Sequence, residues 1–330
     1  MTTPAELADA AAARDVSVLI CTFNRADRLD ETLATLAASR VPNHLTWEVI
    51  VVDNNSTDGT REVVTRHAAS FSVPLTYLFE PRQGKSNALN TGMGASRAQV
   101  IAFTDDDVRV RPDWLQAAVR PLLEDDRIAY TGGPVEPIWG GPKPHWLDEY
   151  GNLGGTIAVK NHGPAPFVFE EQRKTPLGVN MAVRRSLIEQ IGGFRPDLGR
   201  NGKSLLGQEQ AEFFCRSRAA GARGLYVPEM VVAHHVPAAR LTRQYYRRWW
   251  LWKGISHARL HRVQPVTELG IDLEKTPRIF GVPRFMYRNA LRHAAGWLRA
   301  LARGDARARA EEAMAVLYFV GYVWDSRRGS

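Results

Sequence analysis

Gln99-Val100-Ile101-Ala102-Phe103-Thr104-Asp105-Asp106-Asp107-Val108 is the stretch from which the rest of the chain can be read. Its first half is apolar and β-rich, and helical patterns flank it. Such a run reads as a buried strand of a parallel sheet. The acids then stand at its C-terminal end, the edge where ligands bind in open α/β sheets. Adjacent carboxylates repel one another, so crowding them at a buried strand end is costly without a cation. Alternation along an extended backbone would turn Asp105 and Asp107 to one side and Asp106 to the other. A hard divalent ion, Mg²⁺ or Mn²⁺, suits that pair because it prefers oxygen ligands. The competing reading is a solvated acidic turn after a strand, since acids are common in turns.

The segments before this strand repeat the same grammar. Val16-Ser17-Val18-Leu19-Ile20-Cys21 reads as a first strand, running into the polar loop Thr22-Phe23-Asn24-Arg25. Leu29, Leu33 and Leu36 follow at helical spacing, with Asp27 as a cap. Residues 48–52 read as a second strand, ending in Asp53 and a turn cluster before another helix. Residues 75–79 are a third strand, and Gly84-Lys85-Ser86-Asn87 opens a small-residue helix. Pro112 fits the first turn of the helix after the aspartates, with Trp114, Leu115, Val119 and Leu122 on its apolar side. Strands alternating with helices predict an α/β domain with a mostly parallel sheet, Rossmann-like in outline. Thr22, Asp53, the loop before Lys85 and Asp105 then share one sheet edge. An acid ending the second strand is placed to hydrogen-bond a nucleoside, or else to cap a turn. Neither G-x-G-x-x-G nor G-x-x-x-x-G-K-[ST] occurs.

Composition narrows the class. The 330 residues are 44% hydrophobic, as in an ordinary globular chain. The net charge of +8 is uneven: residues 1–215 carry about −5 and residues 216–330 about +13, which suggests an anionic partner for the C-terminal third. Cys21 and Cys215 lie in apolar segments and are expected as buried thiols rather than a disulfide. No Cys/His metal spacing appears. The first fifteen residues, expected to be flexible, lack the basic and apolar regions of a signal peptide. No apolar run is long enough to span a bilayer. A cytoplasmic protein, soluble or peripheral on the inner face of the cell membrane, is the expectation.

Beyond residue 127 the regularity fades. Residues 132–178 are rich in Gly and Pro and contain Trp139, Trp146 and Tyr150. These aromatics suit either a carbohydrate-binding face or loop anchors packed on the sheet. Gly178-Val179-Asn180-Met181-Ala182-Val183 reads as a strand before a helix at 186–191, which Gly192-Gly193-Phe194 closes. Gly207-Gln208-Glu209-Gln210-Ala211-Glu212 opens another helix, and the pair His234-His235 follows.

Taken together, and in this order, the loop 22–25, the segment 50–60, Gly84 to Asn90, the aspartate run, Gly178 to Ala182 and Gly192-Gly193-Phe194 resemble the inverting glycosyltransferases of family 2. The resemblance covers about residues 16–240. It implies the GT-A fold and transfer from a nucleotide-sugar donor to a carbohydrate or lipid-linked acceptor. UDP is the nucleotide it implies first, with GDP and dTDP open. The aspartate run is similar to the family's D-x-D element, which binds metal and sugar nucleotide: Asp105 and Asp107 to the metal, Asp105 and Asp106 to the donor. By the same resemblance Thr22, Phe23, Asn24, Arg25 and Asp53 lie by the base and Lys85 and Asn87 by the donor, while His234 completes the metal site. Its implied domains are a catalytic unit at 16–240, with a nucleotide half to about 125 and an acceptor half beyond, and a helical extension at 241–330.

One departure matters. Where the family has an acidic pair, a spacer and another acid, this chain reads Glu209-Gln210-Ala211-Glu212. Glutamine takes no proton as a base. In a helix Glu209 and Glu212 share a face, so both are expected toward the cleft. Glu209, nearer the helix start, is the expected base, and Glu212 the supporting or structural acid. Asp148 and Glu149 are the fallback carboxylates.

The C-terminal third interleaves basic and aromatic residues from Arg240 to Lys253, and residues 313–324 are apolar but short. Two readings stand: an interfacial attachment to an anionic bilayer, or helices packing their aromatic face on the catalytic domain with Arg outward. Nucleic acid is set aside, because no nucleic-acid fold motif is present. The rival functions are a metal-dependent phosphohydrolase or phosphotransferase with an aspartate nucleophile, and a non-catalytic sugar- or lipid-binding module.

Overall fold

Val16–Thr22 forms β1, and its alternation explains the layers on both sides. Val16, Val18 and Ile20 enter one apolar cluster and Leu19 enters another, as period-two geometry requires. All four are fully buried, the condition of a central parallel strand covered on both faces. This computed structural model describes residues 14–328 other than 172–173, 201, 203, 266 and 268–270. The expected flexible N-terminus lies outside the described residues except for Arg14 and Asp15.

β2 (Trp47–Asp53) and β4 (Val100–Asp105) flank β1 in parallel, and β3 (Leu75–Phe79) adds outside β2. The register pairs Thr22 with Asp53 and Cys21 with Asp105. Beyond β4 the sheet continues through β9 (Asn180–Arg184), β6 (Ile128–Gly132), β10 (Arg223–Tyr226) and β8 (Phe167–Val168). β9 is antiparallel to both neighbours. The result is the expected α/β architecture with a large, mostly parallel sheet.

Helices α1 (Ala26–Ala37), α2 (Thr60–Ala68) and α4 (Trp114–Glu124) cover one face, with Leu33, Val64 and Leu115 in its core. Helices α3 (Lys85–Ala95), α5 (Arg185–Ile191) and α6 (Glu209–Ala219) cover the other, with Leu89, Leu187 and Phe213. Each such side chain contributes about 1.5–3 kcal/mol when fully buried. Pro112 precedes α4, which begins at Trp114, rather than occupying its first turn. The motif residue Asn180 is a structural hub. Its amide donates to Pro134 O and Met230 O at 2.8 and 2.6 Å and accepts from the Trp114 indole at 2.8 Å.

A second sheet has β11 (Val232–Pro237) between β5 (Val108–Val110) and β7 (Val135–Gly140). It pairs His234 with Val108 and so brings the histidine pair to the aspartate run.

The chain closes with α7 (Arg243–Val263), α8 (Arg284–Ala302) and α9 (Ala306–Ser326). α7 and α9 meet at glycines: a Cβ on Gly254 would overlap Tyr318 O, and one on Gly321 would overlap Leu251 O. The apolar stretch 313–324 packs on α7 and α8, with Met314 and Tyr322 buried, and leaves Val320 and Trp324 exposed. Among the described residues no helix is long and apolar enough to cross a membrane. α7 also packs on the Gly/Pro-rich segment. Tyr246 lies edge-on to Trp146 with ring centroids 4.9 Å apart, and the Trp250 indole donates to Thr156 Oγ1 at 3.1 Å. Trp146 is a buried loop anchor rather than an open sugar face.

Candidate active site

A cleft of about 490 Å³ opens at the C-terminal edge of β1, β2 and β4. Thr22 enters it from the end of β1, Phe23 and Arg25 from the loop that follows, and Asn54 from the loop after β2. Lys85 stands at the start of α3 and Glu209 at the start of α6, so two helix N-termini open on the cleft. Such termini favour anionic ligands. Gly84, which precedes α3, has φ of +134°, a backbone that favours glycine. Its N–H donates to Asn54 Oδ1 at 2.8 Å, tying the second and third loops together.

The aspartates do not simply alternate. β4 ends at Asp105, and Asp106-Asp107 form the turn into β5. Arg25 Nη1 bonds both turn acids, at 2.9 Å to Asp106 and 2.7 Å to Asp107. Asp105 instead meets Lys85 Nζ at 2.5 Å. Alternation fails because it holds only for extended backbone, and the strand stops one residue too soon. Burial pushes the Asp106 carboxyl up to about 6, with Arg25 opposing. Asp107 is also buried, but His234 and Arg25 outweigh that and hold it below the usual carboxylate range.

The donor set fits a divalent ion. Asp107 Oδ1 is buried, accepts no hydrogen bond from the protein and lies 3.5 Å from His234 Nε2. His234 Nδ1 is likewise buried without a hydrogen-bond partner. A carboxylate oxygen and an imidazole nitrogen, Asp107 Oδ1 and His234 Nε2, thus stand side by side, both of a chemistry that ligates a divalent ion. Among the described residues no three His, Cys, Asp or Glu side chains gather into a ready-made cage. That suits a hard ion held by one or two carboxylates and completed by substrate phosphates, a common arrangement for Mg²⁺.

In the first turn of α6, Glu209 and Glu212 part company. Glu209 lines the cleft, and its Oε2 is buried with no hydrogen-bond partner. Burial raises its pKa, with Lys85 and Arg200 opposing. Glu212 turns away into a two-bond pair with Arg216, at 2.7 and 2.8 Å. Arg216 in turn donates to the backbone carbonyls of Ile191, Gly192 and Gly193. The shared face expected for the two acids ends there, because a partner one turn on captures Glu212. Gln210 lies against Gly178 and 3.6 Å from Met181 Sδ. Asp148 pairs with Arg307 and Glu149 with Lys143, and neither lines the cleft.

Three expected site residues shape the loops instead of lining the cleft. Asn24, at φ of +51°, accepts from the Thr57 N–H at 2.8 Å. Asp53 is 3% exposed and accepts from the Ser56 N–H and the Tyr77 hydroxyl, at 2.8 and 2.7 Å. Asn87 donates to Arg82 O and Gln83 O. The cleft also contains Asn54, Arg200, Arg240, Tyr245 and Trp249, which were not singled out as site residues from sequence. For Tyr245 and Trp249 a signal existed: four residues apart on a helix, they share a face. Cys21 lines the cleft as a thiol raised by burial, and neither cysteine forms a disulfide.

Comparison with known proteins gives the family and agrees with the fold. The sequence profile of Glycosyl transferase family 2 matches residues 17–192. The chain is 29% identical to the succinoglycan biosynthesis protein ExoM of Rhizobium meliloti (strain 1021), over 74% of each chain. It is 27% identical to the glucosyl-dolichyl phosphate glucuronosyltransferase of Haloferax volcanii, over 66% of this chain and 68% of that one. In fold it is similar to a mannosyltransferase of Pyrobaculum calidifontis solved with GDP-Man and Mn²⁺. That likeness has a TM-score of 0.62 at 21% identity, covering 96% of this chain and 89% of the other.

Proposed function

The chain belongs to glycosyl transferase family 2, and from that membership we propose that it transfers a sugar, with inversion, from a nucleoside diphosphate sugar to a hydroxyl acceptor. The phosphohydrolase and binding-module readings give way to it. The observation that carries the proposal is that the three aspartates, Arg25, Lys85, His234 and Glu209 line one cleft, with the Glu209 Oε2 buried there and without a hydrogen-bond partner.

Arg25 and Lys85 bind and orient the diphosphate, aided by the N-terminus of α3. Asp107 and His234, with Asp105 beside them, would hold Mg²⁺ or Mn²⁺, which when bound supplies Lewis-acid stabilisation of the leaving diphosphate. The acceptor hydroxyl oxygen bonds to the anomeric carbon from the Glu209 side as the bond to the diphosphate oxygen breaks. Glu209 receives the hydroxyl proton, and the nucleoside diphosphate leaves. A carboxylate whose pKa is raised is the better matched to take that proton near neutrality. No covalent enzyme intermediate is required.

We assign catalysis to residues 16–240 and a helical extension to 241–330. The acceptor is a carbohydrate or a lipid-linked saccharide, a reading supported by relatives named for succinoglycan biosynthesis and for glucosyl-dolichyl phosphate. The proposed location is cytoplasmic, on the inner face of the membrane. Its support is α8, whose Leu291 and Leu298 are 74% and 60% exposed beside the exposed Arg288, Arg292 and Arg299. Apolar side chains flanked by arginine are what an anionic interface binds.

The test is a donor-hydrolysis screen over UDP-, GDP- and dTDP-sugars with Mg²⁺ or Mn²⁺. Turnover of a donor, lost on chelation, is expected. No turnover of any donor overturns the proposal.

A further inference from the structure

Behind α7 lies a second cavity, of about 290 Å³, lined mainly by that helix with α8 and α9. Leu260, Phe285, Met286, Ala290, Ala315 and Phe319 make its wall largely apolar. Its histidines are held within the protein or kept neutral by burial. His257 Nδ1 shares a hydrogen bond with the Tyr318 hydroxyl at 2.7 Å, and His293 Nδ1 shares one with Glu312 at 2.6 Å. Burial, with Lys253 adding to it, drives His257 well below the ordinary imidazole range. Burial, with Arg278 adding to it, pushes His261 down to about 4.

This cavity and the catalytic cleft share one wall residue, Lys253. Its ammonium stands 4.5 Å from the Trp250 ring centroid and 5.5 Å from that of Trp249. On the cleft side of the same helix, Tyr245 and Trp249 face the space that Glu209 lines. An apolar cavity, a cation and an aromatic wall therefore adjoin along α7, the last of them in the cleft that Glu209 lines. A polar ligand would lose its hydration in the chamber without replacement bonds. A hydrocarbon gains by leaving water.

We propose that the chamber binds the hydrocarbon chain of an amphiphilic acceptor, with its phosphate at Lys253 and its sugar along Tyr245 and Trp249 toward Glu209. The sugar end rests on the glycosyltransferase reading, whereas the chain site stands without it.

The experiment is calorimetry on the full chain with dodecyl phosphate, kept below its micelle concentration, against inorganic phosphate. Each buried methylene multiplies affinity about fourfold, so dodecyl phosphate is expected to bind at least about a hundredfold more tightly. Ala315→Trp and the milder Ala290→Leu fill the chamber and should each weaken dodecyl phosphate about tenfold or more. Circular dichroism and thermal melting identify a variant that has failed to fold, and Ala290→Leu then decides. Equal binding of the two phosphates, or unchanged affinity in a folded filling variant, overturns the proposal. Binding is read without turnover, so failure of the donor screen would remove the transferase reading and leave this result intact.

Discussion

Asp107 and His234 face each other across two strands, with Oδ1 3.5 Å from Nε2. The backbone fixes the pair, because the His235 N–H donates to Asp107 O at 2.8 Å beside the β5–β11 ladder. Neither Asp107 Oδ1 nor His234 Nδ1 has a hydrogen-bond partner in the protein, and a buried polar atom in that state calls for a partner such as a water or an ion.

Metal binding is therefore expected to need both residues. Asp107→Asn and His234→Ala should each weaken Mn²⁺ binding by about tenfold or more, measured by calorimetry with nucleoside diphosphate present. Chelation should abolish transfer reversibly. Full turnover after verified metal removal would sink the idea.

Glu209→Gln should lower the transfer rate about 10²–10⁴-fold while donor binding stays intact. The base works deprotonated, and its pKa is raised. Wild-type kcat/KM should therefore fall on acidification at a pH above the ordinary glutamate range, and the variant should lack that limb. The sign for stability runs the other way. A folded pKa above the unfolded one means stability is lost as pH rises through it. At neutral pH Glu209→Gln should thus melt at a higher temperature than the wild type. A dead Glu212→Gln beside an active Glu209→Gln would reverse the assignment.

Glu212→Gln is expected to act on stability instead. It leaves Arg216 without its carboxylate at a site where Glu212 is 3% exposed. The cost is about 3 kcal/mol, read by urea unfolding, with folded protein keeping its donor affinity. Unchanged stability would mean that the Glu212–Arg216 pair is dispensable.

Asp53 tests the nucleoside side. Its carboxylate holds Ser56 and Tyr77 in place, so Asp53→Asn should weaken binding of the nucleoside diphosphate without sugar. Tyr77→Phe removes one of those bonds and keeps the carboxylate, and should weaken binding less. Equal effects of the two would make Asp53 a loop brace only.

The exposed face of α8 predicts salt-sensitive sedimentation with anionic liposomes, since exposed charges are screened. Leu291→Ser with Leu298→Ser should weaken it, while truncation of α9 should act by unfolding the α7–α9 contact. No sedimentation at low salt would leave α8 without a membrane role.

The chain's own order determined the α/β class, the strand edge that carries the site and the aspartate run. Those features are local: a period of two or 3.6, a turn residue, an acid after an apolar run. The departure at Gln210 was equally legible, because it is a matter of residue type. Tertiary structure decided the rest, since it depends on partners distant in sequence. Arg25 groups Asp106 with Asp107, Arg216 withdraws Glu212, and Asp53 and Asn24 brace loops. Periodicity could show that residues 313–324 were apolar, but not that Gly254 and Gly321 would let α9 approach α7. Nor could it show that α7 would bring Tyr245, Trp249 and Lys253 to the cleft of a distant sheet. Side-chain direction along one element follows from backbone geometry, but which element lies opposite is settled only when the whole chain packs.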